Sequence, residues 1–268
     1  MPLPSLRIGL LIVILDIFNQ QRRIIMQGVR IDLSSQTASF REPRSQLYHQ
    51  CLPLPPFSTL VGLAGAAIGI SFAEVLGLFK DERIHIGVKG ISYGKGRDLW
   101  NYAKISSGTA VKKDIITREF LCNVQLQVFY ACDDVKCIYR LQEAFKDPVY
   151  ALTLGNSDEL ALCKNIVIYQ DINPDWATEM SNCWLHGNIS DNYSFDWNKI
   201  QKSDLNLKLV APQVVSLPVD FDFKGMLRKG VRYEMFSFIP EYIRLKEKTA
   251  VYMFGKQAVP MFMLTNNQ

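Results

Sequence analysis

The chain has 268 residues, of which 48% are hydrophobic and 21% are charged, and its formal net charge is +4. This composition excludes a disordered chain, and the length suffices for one or two domains with a sizeable core. The six cysteines form no C-x-x-C pair and no zinc-binding spacing. We therefore expect reduced, mostly buried thiols in a cytoplasmic protein.

Two apolar segments raise the question of a membrane. IGLLIVILDIF (8–18) contains Asp16 and is too short, since a membrane-spanning helix needs about 20 residues. LVGLAGAAIGISFAEVLGLF (60–79) has the length, but it contains Glu74 and four glycines, which favours a buried helix. We expect no membrane association; a membrane-associated protein is the alternative, and cell fractionation would distinguish the two.

Residues 1–25 are interpreted as an N-terminal extension, which either arises from an upstream start codon or is an addition outside the usual domain, because an ordinary domain start follows at Met26. From there GVRIDLSS (28–35) alternates apolar and polar residues, which predicts a half-buried strand. N-terminal mass analysis of the native protein tests this interpretation, and a mature chain that retains Met1 would contradict it.

The next segment, residues 36–57, contains four prolines and is called the hook below. Because proline fixes φ and lacks an N–H donor, the hook is predicted to be extended and stiff. Ser58 or Thr59 is expected to cap a helix that runs to about Phe79. A stiff loop loses less entropy when it binds a ligand, so the hook is a candidate binding loop. The alternative is a well-ordered connection without a ligand.

The remaining periodic segments predict further strands and helices in chain order. They are a strand at RIHIGVKGISY (83–93), a strand at FLCNVQLQVFY (120–130), a helix at KCIYRLQEAFKD (136–147) and a strand at PVYALTLG (148–155). The order strand–helix–strand–strand–helix–strand is the βαββαβ ferredoxin-like pattern of an α+β fold. Residues 156–268 are predicted to be β-rich, with residues 171–204 mostly in loops.

Positive charge is concentrated between the two middle strands, in residues 94–119, which are called the thumb below. Residues 87–118 contain seven Lys and Arg against two Asp, so their net charge of +5 exceeds that of the whole chain. Tyr93, Trp100 and Tyr102 are interleaved with these cations. Cations that bind phosphates and rings that stack on bases suit a single-stranded nucleic acid. A solvated loop with locally packed aromatic residues is the alternative.

The sequence contains no P-loop, no nucleophile elbow and no dinucleotide-binding fingerprint in its proper context. A metal-independent ribonuclease needs a base for the 2′-hydroxyl and an acid for the leaving oxygen. Tyr48 and His49, with a thumb lysine, are the only candidates for these catalytic roles. No metal or cofactor site is predicted.

Four segments, in this order and at this spacing, resemble the CRISPR-associated protein five family. They are ASFREPRS (38–45), CLPLPPFSTLVGLAGAAIG (51–69), REFLCNVQLQVFY (118–130) and PVYALTLGNSDEL (148–160). Members of this family are RAMP-type subunits of type I Cascade surveillance complexes. The sequence is most similar in appearance to the type I-A and I-B members, and the similarity is clearest over residues 26–160.

The resemblance implies a ferredoxin-like (RRM-type) RAMP domain at residues 26–155 with a long β-hairpin thumb, followed by a smaller β-rich domain at residues 156–268. It implies a non-catalytic, cytoplasmic RNA-binding subunit that holds the 5′ handle of the guide RNA in antiviral defence. Its partners would be the Cascade backbone subunit, whose filament it caps, and the large subunit. Target DNA would be contacted only indirectly, and no cofactor or membrane would be involved.

The resemblance also assigns RNA binding to particular positions, in the hook, in the thumb and at a glycine turn after the last core strand. These positions are Ser39, Phe40, Arg41, Arg44, Lys95, Arg97, Trp100, Lys104, Lys112, Lys113 and Gly155. The composition of the hook adds Tyr48 as a further RNA-binding candidate.

One branch of the family, in type I-C systems, cleaves the precursor guide RNA with a hook tyrosine and an adjacent lysine and histidine near the thumb. Tyr48 matches the tyrosine, but Lys113 is followed by Asp114, and no histidine lies between His85 and His186. The resemblance therefore implies that a separate enzyme processes the RNA. A metal-independent endoribonuclease remains the alternative function.

Overall fold

The computed structural model describes residues 26–45, 48–105, 111–203, 209–225 and 227–266, leaving aside the side chains of residues 102–105 and 111–114. The strands are β1 (Met26–Ala38), β2 (Tyr48–His49), β3 (His85–Ile105), β4 (Val111–Cys132), β5 (Leu162–Glu179), β6 (Cys183–His186), β7 (Tyr193–Phe195), β8 (Gln213–Lys224), β9 (Leu227–Ile239), β10 (Ile243–Phe254), β11 (Gln257–Val259) and β12 (Phe262–Met263). The helices are α1 (Phe57–Ile68), α2 (Phe72–Asp81), α3 (Val135–Lys146) and α4 (Trp197–Ile200).

A mostly antiparallel sheet forms the centre of the molecule, with the strand order β11-β10-β5-β1-β4-β3-β6-β9-β8. The predicted alternation of β1 is confirmed, since Val29, Ile31 and Leu33 are at most 2% exposed. These side chains join one hydrophobic core with residues of α1, α2 and α3. The fold is therefore α+β, with a few helices packed against an extended antiparallel sheet.

The predicted single helix up to Phe79 is wrong, because α1 and α2 are separate and bent by 106°. Gly69 ends α1 in the left-handed region (φ 87°). Ser71 then starts α2 with a capping box, in which its side chain and that of Glu74 each accept a backbone N–H. Neither Ser58 nor Thr59 caps α1, whose N-cap is a proline without a side-chain hydrogen bond.

The thumb is confirmed as an extended hairpin, since β3 and β4 pair continuously from His85↔Ala131 to Ile105↔Val111. The strand predicted at residues 148–155 is wrong. The N–H groups of Val149 and Tyr150 instead donate to carbonyl oxygens in the last turn of α1, at 3.0 and 3.1 Å. The strand that lies beside β1 is β5, which begins at Leu162.

The second half of the chain contributes strands at both sides of the sheet. Strands β10 and β11 extend it beyond β5, and β6, β9 and β8 extend it beyond β3. Residues 171–204 are not mostly loop, because they include the end of β5, all of β6 and β7, and α4. The domain boundary at residue 155 stays a prediction.

Within the described residues, no single helix is long and apolar enough to cross a membrane; the bent pair α1 and α2 meets that test by length and composition only.

Candidate nucleic-acid interface

The hook folds into a narrow, paired loop that lies against the base of the thumb. Its two arms bond to each other: Leu52 N–H donates to the carbonyl of Phe40 at 2.7 Å, and Glu42 N–H donates to that of Gln50 at 2.9 Å. Near its tip, β2 runs parallel to β4, with Tyr48 opposite Thr117. Hook and thumb therefore form one continuous surface. The prolines stiffen the hook, so it can keep this position without helical structure.

Glu119 of β4 is the centre of the contact between hook and thumb. Its carboxylate is 6% exposed and accepts a hydrogen bond from the Tyr48 hydroxyl at 2.5 Å and from the Cys51 N–H at 3.2 Å. From the thumb, Lys95 Nζ lies 2.5 Å from Oε2, and an Arg97 guanidinium nitrogen lies 3.4 Å from Oε1. One buried acid thus joins two hook residues to two thumb cations.

These contacts set the protonation states of the central pair. Burial by itself would raise the pKa of Glu119, but hydrogen bonds from Lys95, Tyr48 and the Cys51 N–H outweigh it and lower the pKa to about 2. The same bond to Glu119 raises the pKa of Tyr48 above its ordinary value. At neutral pH, Glu119 is ionised and Tyr48 is a neutral hydrogen-bond donor.

A second ion pair lies next to this contact and supports an aromatic ring. Arg118 binds Asp98 through two nitrogens, at 3.2 and 2.8 Å, across the thumb hairpin. Its guanidinium also lies over the ring of Trp100, 4.7 Å from the centroid. Trp100 is 44% exposed, so one part of the ring faces solvent at the base of the thumb. A base could stack there.

A pocket of about 150 Å³ opens between the hook, the thumb and the loop after α3. Its lining comprises Ser39, Arg41, His49, Gln50, Trp100, Arg118, Glu119 and Asn156. Burial lowers the pKa of His49, and the nearby charges of Arg41 and Arg118 lower it further. His49 is therefore neutral at pH 7, beside two permanent cations.

The glycine turn is packed against the end of β1. Gly155 has φ +127°, and a Cβ at this position would overlap the backbone of Ser39. Glu159, which is 3% exposed, accepts the Ser39 hydroxyl at 2.5 Å and the Asn156 N–H at 2.7 Å. Gly155 is thus required for a close backbone approach that positions the pocket wall.

Ser39, Tyr48, Lys95, Trp100 and Gly155 take part in the contacts described above. The other predicted RNA-binding residues divide into three groups. Arg41, Arg44 and Arg97 are exposed, the last by 70% of its side chain. Phe40 is 2% exposed and belongs to the core, so its side chain is not on this surface and cannot stack on a base. The side chains of Lys104, Lys112 and Lys113 lie outside the described ones.

Three acids in and around the interface were missed by the sequence reasoning as partners. In the sequence, Asp98 is only one of the two acids of the basic segment 87–118, and Glu119 lies one residue beyond that segment. Glu119 occupies a strand position between Arg118 and Phe120, where only the register of the hairpin reveals its partners. Glu159 could have been found from the sequence, because it lies four residues after Gly155 within the segment PVYALTLGNSDEL that resembles the family.

The pocket between hook and thumb combines cations with an aromatic ring. Arg41, Arg118 and Trp100 line it together, and the Tyr48 hydroxyl beside it is already bonded to a carboxylate. In the described part of the chain, no group of three or more His, Cys, Asp or Glu residues could hold a metal ion.

Comparisons with known proteins identify relatives of this chain. The sequence profile of the CRISPR-associated protein (Cas_Cas5) family matches residues 28–169, more than half of the chain. No curated protein matches this chain.

Among solved structures, a CRISPR protein from Archaeoglobus fulgidus is similar with 10% identity and a TM-score of 0.52, covering 88% of this chain and 99% of that one. A structure described as a Cas protein has 20% identity and a TM-score of 0.34, covering 50% of this chain and 58% of its own length. A chain of a CRISPR RNA-guided surveillance complex has 14% identity and a TM-score of 0.44, covering 84% and 91%. At these identities, the match to the Archaeoglobus protein supports a shared fold.

Proposed function

Because this chain belongs to the Cas5 family of CRISPR-associated proteins, we propose that it is a non-catalytic, guide RNA-binding subunit of a type I Cascade surveillance complex. In this proposal the hook and the thumb hold the 5′ handle of the guide RNA. The protein caps the filament of backbone subunits and contacts the large subunit. It acts in the cytoplasm in antiviral defence and needs no cofactor.

The observation that carries the proposal is the joining of hook and thumb around Glu119. Arg41 and Arg44 on the hook and Arg97 on the thumb expose guanidinium groups, which bind phosphate oxygens through paired N–H donors. Trp100 offers a ring for stacking at the same place. Phosphate contacts and stacking together are the usual means of holding a single-stranded nucleic acid.

The strand order supports a ferredoxin-like core for this domain. The four strands β5-β1-β4-β3 are antiparallel neighbours, with α1, α2 and α3 packed on one face. In the proposed assignment, β1, β3, β4 and β5 are the four strands of the βαββαβ unit, and the thumb is the extension of its central hairpin.

The thumb also carries apolar side chains that suit a protein partner. Tyr93, Leu99 and Ile115 are 67%, 73% and 63% exposed. Exposed apolar residues on a projecting hairpin are typical of an interaction surface. We assign this surface to the neighbouring backbone subunit.

A metal-independent endoribonuclease is the second candidate, favoured by His49. This residue lines the pocket between Arg41 and Arg118, and its lowered pKa leaves a neutral imidazole as a base. Tyr48 supports the candidate less, because its raised pKa keeps the hydroxyl protonated at neutral pH, so that no phenolate is present to act as a base.

One gel with labelled repeat RNA and the full chain in EDTA tests both candidates. The proposal predicts a shifted, intact RNA. A cut at a fixed position that is lost in His49→Ala but kept in His85→Ala would replace it with the nuclease. An RNA that is neither shifted nor cut, even with the backbone subunit added, would contradict both.

A further inference from the structure

A second basic hairpin, β8–β9, lies at the edge of the sheet beyond β3 and β6. Strands β8 and β9 pair antiparallel up to Lys224 and Leu227, and Gly225 has φ +59°. Residues 222–232 of this hairpin contain four Lys and Arg against one Asp. Such a concentration of cations favours an anionic partner.

The base of this hairpin is held firmly against α2. Lys80 Nζ lies 2.6 Å from Asp220 Oδ1, and their side chains are only 12% and 9% exposed. Phe221 packs edge-on against Phe72, with 5.3 Å between the ring centroids. The ion pair and the ring contact thus hold the base of the hairpin, in addition to any contact that its basic residues make.

Arg228 is a cation of this hairpin whose guanidinium lies over two aromatic rings. Its guanidinium carbon lies 4.2 Å from the ring centroid of Phe72 and 5.0 Å from that of Phe221. It forms no ion pair or hydrogen bond with any described residue. Burial lowers its pKa, as expected for a desolvated cation that lacks a nearby acid.

The guanidinium lines a cavity of about 200 Å³. The other walls include the hydroxyl-bearing residues Ser58, Thr59 and Thr153, together with Gly155, and Arg228 is the only charged residue among the described ones that line it. A cation with free donors, hydroxyl groups nearby and no acid is a combination suited to a phosphate group.

This cavity adjoins the pocket between hook and thumb. Gly155 lines the cavity, and the next residue, Asn156, lines the pocket. The glycine turn thus separates the two by a single step of the chain. A strand bound at the hook can pass this turn and reach Arg228.

We propose that Arg228, together with the hydroxyl groups of Ser58 and Thr59, binds a backbone phosphate of the guide RNA where the strand leaves the pocket between hook and thumb. This inference rests on the proposed function, because it extends the same RNA-binding surface. Contacts to phosphate carry no sequence information, so this site holds the strand in place regardless of its bases.

The test compares Arg228→Gln with Lys229→Gln in the full chain. Lys229 is the matched control, since it is the adjacent cation of the same strand and points away from Arg228 in the alternating pattern of β9. Binding of a fluorescein-labelled repeat RNA is measured by anisotropy at several salt concentrations. We expect Arg228→Gln to weaken binding about 10-fold. The slope of log affinity against log salt should fall by about 0.7. Lys229→Gln should change the affinity and the salt slope by only a small fraction of these amounts.

A second variant keeps the proposal testable if Arg228→Gln lowers the stability of the hairpin. Thr59→Val preserves the shape of that side chain and removes only the hydroxyl, so it should weaken RNA binding with an unchanged melting temperature. The proposal is overturned if the wild-type chain binds RNA and Arg228→Gln binds it equally well with the same salt slope. It is also overturned if Lys229→Gln has an equal effect. A wild-type chain that binds no RNA contradicts the proposed function itself.

Discussion

Replacing Glu119 with glutamine removes the one charge that Tyr48, Lys95 and Arg97 share, while it preserves the shape of the side chain. The folded protein lowers the pKa of Glu119 from its ordinary 4.5 to about 2. At about 1.4 kcal/mol per pKa unit, this sets an upper limit of about 3 kcal/mol on the stabilisation by the charge. Because Lys95 and Arg97 are 43% and 70% exposed, solvent screens part of it, and we expect a loss of about 1–2 kcal/mol.

The pH dependence of this loss follows from the direction of the shift. A carboxyl group whose pKa is lower in the folded state contributes its full stabilisation above its unfolded pKa, and the contribution disappears as pH falls through the folded pKa. The difference between wild type and Glu119→Gln should therefore be complete at pH 7 and shrink between pH 4.5 and about 2.

Urea unfolding of both proteins at pH 7 and at pH 3 measures the two differences. Glu143→Gln is the matched control. Glu143 Oε1 lies 2.6 Å from Lys146 Nζ, so it also forms an ion pair with a lysine, but its side chain is 68% exposed. The free energy of unfolding of this control should change by less than about 0.5 kcal/mol. Equal stability of wild type and Glu119→Gln at pH 7, or a difference that does not shrink at pH 3, would refute the reasoning.

Three further predictions concern the hook and the glycine turn. Arg41→Gln and Arg44→Gln should each reduce the slope of log RNA affinity against log salt by about 0.7; unchanged slopes would mean that neither contacts phosphate. Gly155→Ala should lower the free energy of unfolding by about 2 kcal/mol or more. Gly187→Ala is the control, because Gly187 also has a positive φ of +98° but a Cβ there would meet no atom within 4 Å. Gly155→Ala should cost more than this control. Equal losses would deny the close approach to β1. Tyr48→Phe should lower the urea midpoint, because it removes the hydrogen bond to Glu119, and leave the RNA intact; an unchanged midpoint would show that this bond contributes nothing.

The local patterns predicted the elements that follow from residues close in sequence. Periodicity predicts the alternation of β1 and the helix α3, and the structure places both within a few residues of the predicted bounds. The hairpin form of the thumb is implied by the family resemblance instead. The sequence also contains the signals that predict the break between α1 and α2. Gly69 followed by Ser71 and Glu74 is a helix end and a capping box, and the apolar composition of the segment concealed it.

Other features depend on contacts between residues distant in sequence. Residues 148–155 have a strand-like composition, but the end of α1 takes up the N–H groups of Val149 and Tyr150. The role of Glu119 depends on the register of a long hairpin and on the docking of the hook. Arg228 lies at the start of β9, where the sequence gives no sign of a binding residue, and only the fold brings it close to Gly155.

Photo-crosslinking of the full chain to a repeat RNA that contains 4-thiouridine, followed by mass spectrometry of the joined peptides, tests the central claim most directly. The account predicts crosslinked peptides from the hook, which includes Tyr48, and from the thumb, which includes Trp100. Crosslinks confined to the far side of the sheet, at β10 and β11, would contradict it.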